Sequence, residues 1–91
     1  MSDARLTAWV SGRVQGVGFR WWARSQALAV GVDGWAHNLP DGRVEIVAEG
    51  ARGACEELLA ALRGPGSPGH VTGVVERWTD GRGVPAGFTE R

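Results

Sequence analysis

The segment Gly12-Arg13-Val14-Gln15-Gly16-Val17-Gly18-Phe19-Arg20 carries the residue types that hold an anion. Gly16 and Gly18 permit backbone turns that aim successive N–H groups into one concavity. The helix expected to start at Phe19 has no Ser, Thr, Asp or Asn at its N-cap, so its first donors are left for a ligand. Arg20 falls in the first turn of that helix, where the macrodipole disfavours a cation by a few tenths to about 1 kcal/mol. A bound anion would offset that cost. The plainer reading is a glycine-rich turn with a solvated arginine, and pattern alone leaves both open. The segment is not a dinucleotide fingerprint, because the third Gly is missing, nor a Walker loop, because the Lys is missing.

Asn38 is the only Asn in the chain and precedes Leu39-Pro40-Asp41-Gly42. Asn beside a hairpin serves conformation in many proteins, but its amide can also donate and accept, as a group that orients a water must. His37 alternates to the other face of a regular strand and reads as a surface residue, as does His70 in a Gly-Pro loop. Cys55 belongs to an apolar helical stripe and reads as inert core. Glu56 and Glu57 read as complements to the dipole of the second helix. The tryptophans read mostly as core, with Trp21 the one expected to be exposed.

Composition narrows the chemistry. All ten basic residues are Arg, and they balance ten acids. The absence of Lys removes P-loop, Schiff-base and lysine-base chemistry. One Cys forms no internal disulfide, and with two distant His it makes no four-ligand zinc site, so no metal or cofactor is expected. The N-terminus has no leader-like or membrane-spanning run, which makes the cytoplasm the default location. The zero net charge conceals a split: Ala4 to Val32 holds four arginines and no acid, so this stretch is +4 and the remainder −4. That asymmetry is either chance in a short chain or an anion site in the N-terminal third.

The elements that must position these residues follow from periodicity. Leu6 to Ser11 alternates as a half-buried strand, and Gly12 to Gly18 is a turn. Phe19, Trp22, Ala23, Ala27 and Val30 share a helical face that Gly31 stops. Trp35–Leu39 and Arg43–Ala48 are strands joined at Pro40-Asp41-Gly42. After a break at Gly50–Gly53, Cys55, Leu58, Leu59 and Leu62 mark a second helix that Gly64-Pro65 ends. Val71–Thr79 is a strand, and Phe88–Arg91 a short last one. With 43% hydrophobic and 22% charged residues in 91, this is a single folded domain, residues 1–91. The order βαββαβ gives an α+β, ferredoxin-like split βαβ fold, an antiparallel sheet with two helices on one face.

The Gly12–Arg20 segment, followed by Gly34-Trp35-Ala36-His37-Asn38-Leu39-Pro40-Asp41-Gly42-Arg43-Val44-Glu45, resembles the acylphosphatases. The first stretch matches that family's pattern at every defined position. The second departs at Ala36, where Val is usual, and has His37 where Arg or Lys is common. The resemblance implies a hydrolase that splits the carboxyl–phosphate anhydride of a small acyl phosphate, without metal and without a phospho-enzyme. It implies that Arg20 binds the phosphate, together with the backbone of Gln15, Gly16, Val17, Gly18 and Phe19, and that Asn38 orients the attacking water. A standalone monomer is expected. Three other readings compete: a phosphate-binding regulatory domain of the same fold, a module cut from a larger carbamoyl-transfer maturation protein, and an RNA binder. The last needs aromatics on the central strands, and Arg43–Glu49 has none and carries two acids, so no nucleic-acid partner is expected.

Overall fold

Apolar and polar residues alternate along the first strand. Leu6, Ala8 and Val10 are fully buried, while Arg5, Thr7 and Trp9 between them point to the opposite face. A computed structural model of the chain describes residues 3–91; Met1 and Ser2, which open the stretch read as leaderless, lie outside the described residues. The elements are β1 (Ala4–Arg13), α1 (Phe19–Val30), β2 (Asp33–Asn38), β3 (Val44–Gly50), α2 (Arg52–Arg63), β4 (His70–Asp80) and β5 (Phe88–Glu90). They form one five-stranded sheet in the order β4-β1-β3-β2-β5.

The expected βαββαβ order and the ferredoxin-like α+β fold are present. The four long strands pair antiparallel, but β5 runs parallel to β2, with Phe88 opposite Gly34, so the full sheet is mixed. The direction of β5 is set by the loop 81–87, which carries the chain from the β4 edge to the far side of β2 before pairing begins. Both helices cover one face. Phe19, Ala23 and Ala27 of α1 and Cys55, Leu58 and Leu62 of α2 join Leu6, Val10, Ile46 and Phe88 in a single core.

The strands exceed their sequence-read bounds where distant partners extend them. β4 pairs with β1 from Ala4↔Asp80 to Arg13↔His70, which lengthens both. The second helix starts at Arg52 and includes Gly53, so Glu56 and Glu57 fall beyond its first turn and do not complement the dipole there. Glu56 instead pairs with Arg52 across one turn, Oε1 to Nε 3.1 Å. The tryptophans also depart from the core reading. Trp21 is exposed as expected, at 61%, but none of the other four is fully buried. Trp22 and Trp78 pack against the rim of the core. Trp9 and Trp35 stand on the open face of the sheet, because the same alternation that buries Leu6, Ala8 and Ala36 turns them outward.

Among the described residues, no helix is long and apolar enough to cross a membrane.

Candidate active site

The anion-binding features expected between Gly12 and Arg20 sit on one short connection. Residues 14–18 link β1 to α1, with Gly16 at φ 73° and Gly18 at φ 82°. A residue with a Cβ resists these left-handed values, and the loop needs both. Gly18 is the N-cap of α1 and makes no side-chain cap; its carbonyl accepts from the Trp22 N–H at 3.0 Å, which starts the helix. Among the described residues, no carbonyl or side chain accepts a hydrogen bond from the backbone N–H groups of Gly16 to Trp21. The first turn of α1 has no acidic residue. A row of unpaired donors therefore meets the positive end of the helix, beside Arg20.

The side chains of the loop have separate tasks. Val14 and Phe19 are buried, and Phe19 packs on Trp22 with ring centroids 5.5 Å apart, so Phe19 can offer a ligand only its backbone N–H. Gln15 reaches across to the β2–β3 hairpin. Its Nε2 donates to the carbonyls of Leu39 at 2.7 Å and Arg43 at 3.0 Å. Both amide protons of Gln15 are thereby engaged, and its contribution to an anion is likewise confined to the backbone.

Asn38 is the last residue of β2 and lies opposite Val44 of β3. Gly34 and Ala36 are buried on the helix-covered side of β2, Asn38 alternates with them, and His37 between is exposed. The Oδ1 of Asn38 is buried and has no hydrogen-bond partner among the described residues. A buried acceptor of this kind is costly unless a donor completes it, by roughly 1–3 kcal/mol. The hairpin that carries Asn38 is stiff. Leu39 N–H donates to the Arg43 carbonyl at 2.8 Å, and Gly42 N–H to the Leu39 carbonyl at 3.1 Å. Asp41 accepts from both the backbone N–H and the Nε of Arg43, which holds its carboxyl below the usual range, the backbone hydrogen bond contributing most.

Arg20 and Arg24, one helical turn apart, both turn towards β5. Arg20 Nη1 donates to the carbonyl of Arg91 at 2.6 Å, and Arg24 Nε to that of Phe88 at 3.0 Å. Arg91 N–H in turn donates to Ala36 at 2.7 Å. The guanidinium of Arg20 is thus tied through one residue to the strand that ends in Asn38. Residues 14–18, Arg20 and the Asn38 hairpin are brought together by two short links, Gln15 on one side and Arg91 on the other. The Acylphosphatase family model matches residues 6–89, a span that contains the loop, Arg20 and the hairpin together.

The chain belongs to the acylphosphatase family. It is 63% identical over 91 residues to the acylphosphatase of Thermobifida fusca, with all of both chains covered. It is 61% identical over 90 residues to that of Mycolicibacterium vanbaalenii, covering 99% of this chain and 97% of the relative. The crystal structure of the Bacillus subtilis acylphosphatase superposes with a TM-score of 0.83 at 34% identity, covering 97% and 98% of the two chains.

Three residues that frame this arrangement escaped the sequence reading. Arg91 acts through a backbone carbonyl, which has no residue signature. Arg24 was legible in principle, since its i, i+4 spacing from Arg20 places both on one helix face. Gly69, at φ 77°, lets the loop after α2 press against the loop: a Cβ there would collide with the Arg13 carbonyl oxygen and crowd Val17 Cγ2 at 2.9 Å. Concavities of about 240, 480 and 260 Å³ lie away from the loop, lined respectively by Asp33 and Glu49, by Arg52 and Trp78, and by Trp9 and Trp35 on the open face. A row of backbone N–H groups makes only a shallow concavity.

Proposed function

We infer that this chain, as a member of the acylphosphatase family, is a hydrolase of acyl phosphates. We propose that hydrolysis proceeds by direct attack of water, with Arg20 and Asn38 as the catalytic residues and without a metal. The phosphoryl group sits against the N–H groups of Gln15, Gly16, Val17, Gly18, Phe19 and Arg20. One Nη1–H of the Arg20 guanidinium is held by the Arg91 carbonyl; the remaining donors form a fork for two phosphate oxygens. One of its donors is anchored in advance, which lowers the freedom lost on binding.

The observation that carries the reading is the unpartnered Oδ1 of Asn38. Once the Asn38 side chain turns that oxygen toward the loop, a water that donates one hydrogen to it has its lone pair free to attack phosphorus. The new P–O bond forms as the bond to the acyl oxygen breaks, and that electron pair leaves on the carboxylate. The water proton passes to a phosphate oxygen. A carboxylate is a good leaving group, so positioning and charge stabilisation suffice and no strong general acid is required. Among the described residues no group of three or more His, Cys, Asp and Glu side chains is placed to hold a metal ion. The chain is proposed to act as a cytoplasmic monomer.

Benzoyl phosphate hydrolysis tests the assignment. Arg20→Ala should lose more than the roughly 10²–10³-fold typical of one oxyanion donor, because a charge is removed too. Circular dichroism should stay unchanged. Arg20→Lys should recover little, since a point charge lacks the fork. Activity of the native chain should survive a chelator. Near-native turnover by Arg20→Ala, or loss of activity with chelator restored by a divalent ion, would sink the mechanism.

A further inference from the structure

We infer that Gln15 is a positioning residue that sets the distance between the phosphate loop and Asn38. The inference rests on the reading of Asn38 as the water-orienting group. Gln15 Nε2 spends its two donors on carbonyls of residues 24 and 28 positions away, Leu39 at 2.7 Å and Arg43 at 3.0 Å. Leu39 immediately follows Asn38.

Those two carbonyls do not need Gln15 for the hairpin to close. The Leu39 carbonyl already accepts from Gly42 N–H, and the Arg43 carbonyl from Leu39 N–H. Each has a second lone pair, and Gln15 fills it. The hairpin is complete by itself, so the amide adds no turn and no ladder bond. What it adds is a rigid two-point tie between residues 14–18 and the hairpin. A single bond would leave a pivot; two bonds from one planar amide fix both separation and tilt.

The chemistry makes that separation matter. Phosphorus is placed by the loop N–H groups and Arg20, whereas the water is placed by Asn38. Attack needs the two in line within a few tenths of an ångström, and misplacement by about 1 Å can cost about 10²-fold. Gln15 is the direct side-chain link between the two halves.

The prediction is a split between binding and turnover. In Gln15→Ala, and in the neutral, near-isosteric Gln15→Met that lacks both donors, kcat for benzoyl phosphate should fall about 10–100-fold. The inhibition constant of inorganic phosphate should stay within about twofold, because the N–H groups and Arg20 are intact. In an Asn38→Ala background, adding Gln15→Ala should cost no more than about twofold further, since its effect passes through Asn38. The inference is overturned if phosphate affinity falls in step with kcat, or if the two substitutions multiply, because Gln15 would then act on the loop alone. A slow Asn38→Ala beside a fully active Gln15→Ala overturns this inference and leaves the water reading standing. A fully active Asn38→Ala overturns both.

Discussion

An arginine in the first turn of a helix is ordinarily a small liability, and here it is left with no acid beside it. Gly18 supplies no cap, and α1 begins with no carboxylate. The only hydrogen-bond acceptor given to Arg20 among the described residues is the carbonyl of Arg91. Among the described residues no Asp or Glu side chain pairs with it, as suits a charge kept for a ligand. Asn38 is the complementary case, an acceptor buried without a donor. Substituting Asn38 by Ala removes that orphan, so stability should hold or rise slightly while turnover falls about 10²–10³-fold. Paired urea titrations and benzoyl phosphate kinetics would check this opposition. Parallel losses in both would mean that Asn38 holds the hairpin rather than the water.

At the scale of elements, the site is a meeting of one loop, one helix end and one hairpin, and the segment 64–69 braces it from outside. Gly69→Ala should destabilise the chain by about 2 kcal/mol or more, from the left-handed backbone and the collision with Arg13 together. Gly66→Ala meets open space and should change stability by less than about 0.5 kcal/mol. Their urea midpoints give the comparison. The hairpin and both helices were legible because their signals are local: alternation, i, i+3, i+4 spacing, Asp41-Gly42 at the turn and Gly31 at a helix end. The Gly12–Arg20 stretch was legible as a glycine turn ahead of an uncapped helix for the same reason. What was not legible came from pairing across the sheet. β1 runs to Arg13 because β4, some sixty residues away, supplies its partners. The parallel course of β5 depends on a loop whose path no periodicity records. Likewise, the Gln15 side chain read as one more part of a phosphate loop until the position of Leu39 was known.

For the whole molecule, the two faces of the sheet divide the labour. One buries a core shared by both helices, and the other exposes Trp9 and Trp35 among charged residues. Trp9 Nε1 donates to Glu45 at 3.0 Å, while the guanidinium of Arg91 lies 4.0 Å from the centre of the Trp35 ring. Glu49, only 5% exposed, pairs with Arg5 at 2.8 Å and accepts from the N–H groups of Arg82 and Gly83. Asp33 holds the other end of that loop by accepting from Gly87 N–H at 2.8 Å. Two acids thus fasten the crossing that delivers β5 to the flank of α1. The +4 first third of the chain and the −4 remainder are thereby partly reconciled in space, while Arg20 pairs with no Asp or Glu side chain among the described residues.

The bond from Arg20 to Arg91 joins residues 71 positions apart. Its consequence belongs to time rather than geometry. A helix forms within about a microsecond, and α1 can present its loop early. The guanidinium, however, acquires this anchor only after the last strand has docked. Closing so long a chain segment is slow relative to local structure. In a refolding experiment, the far-ultraviolet signal of the helices should therefore recover before benzoyl phosphate turnover does. Simultaneous recovery of the two signals would place β5 docking in the same step as helix formation.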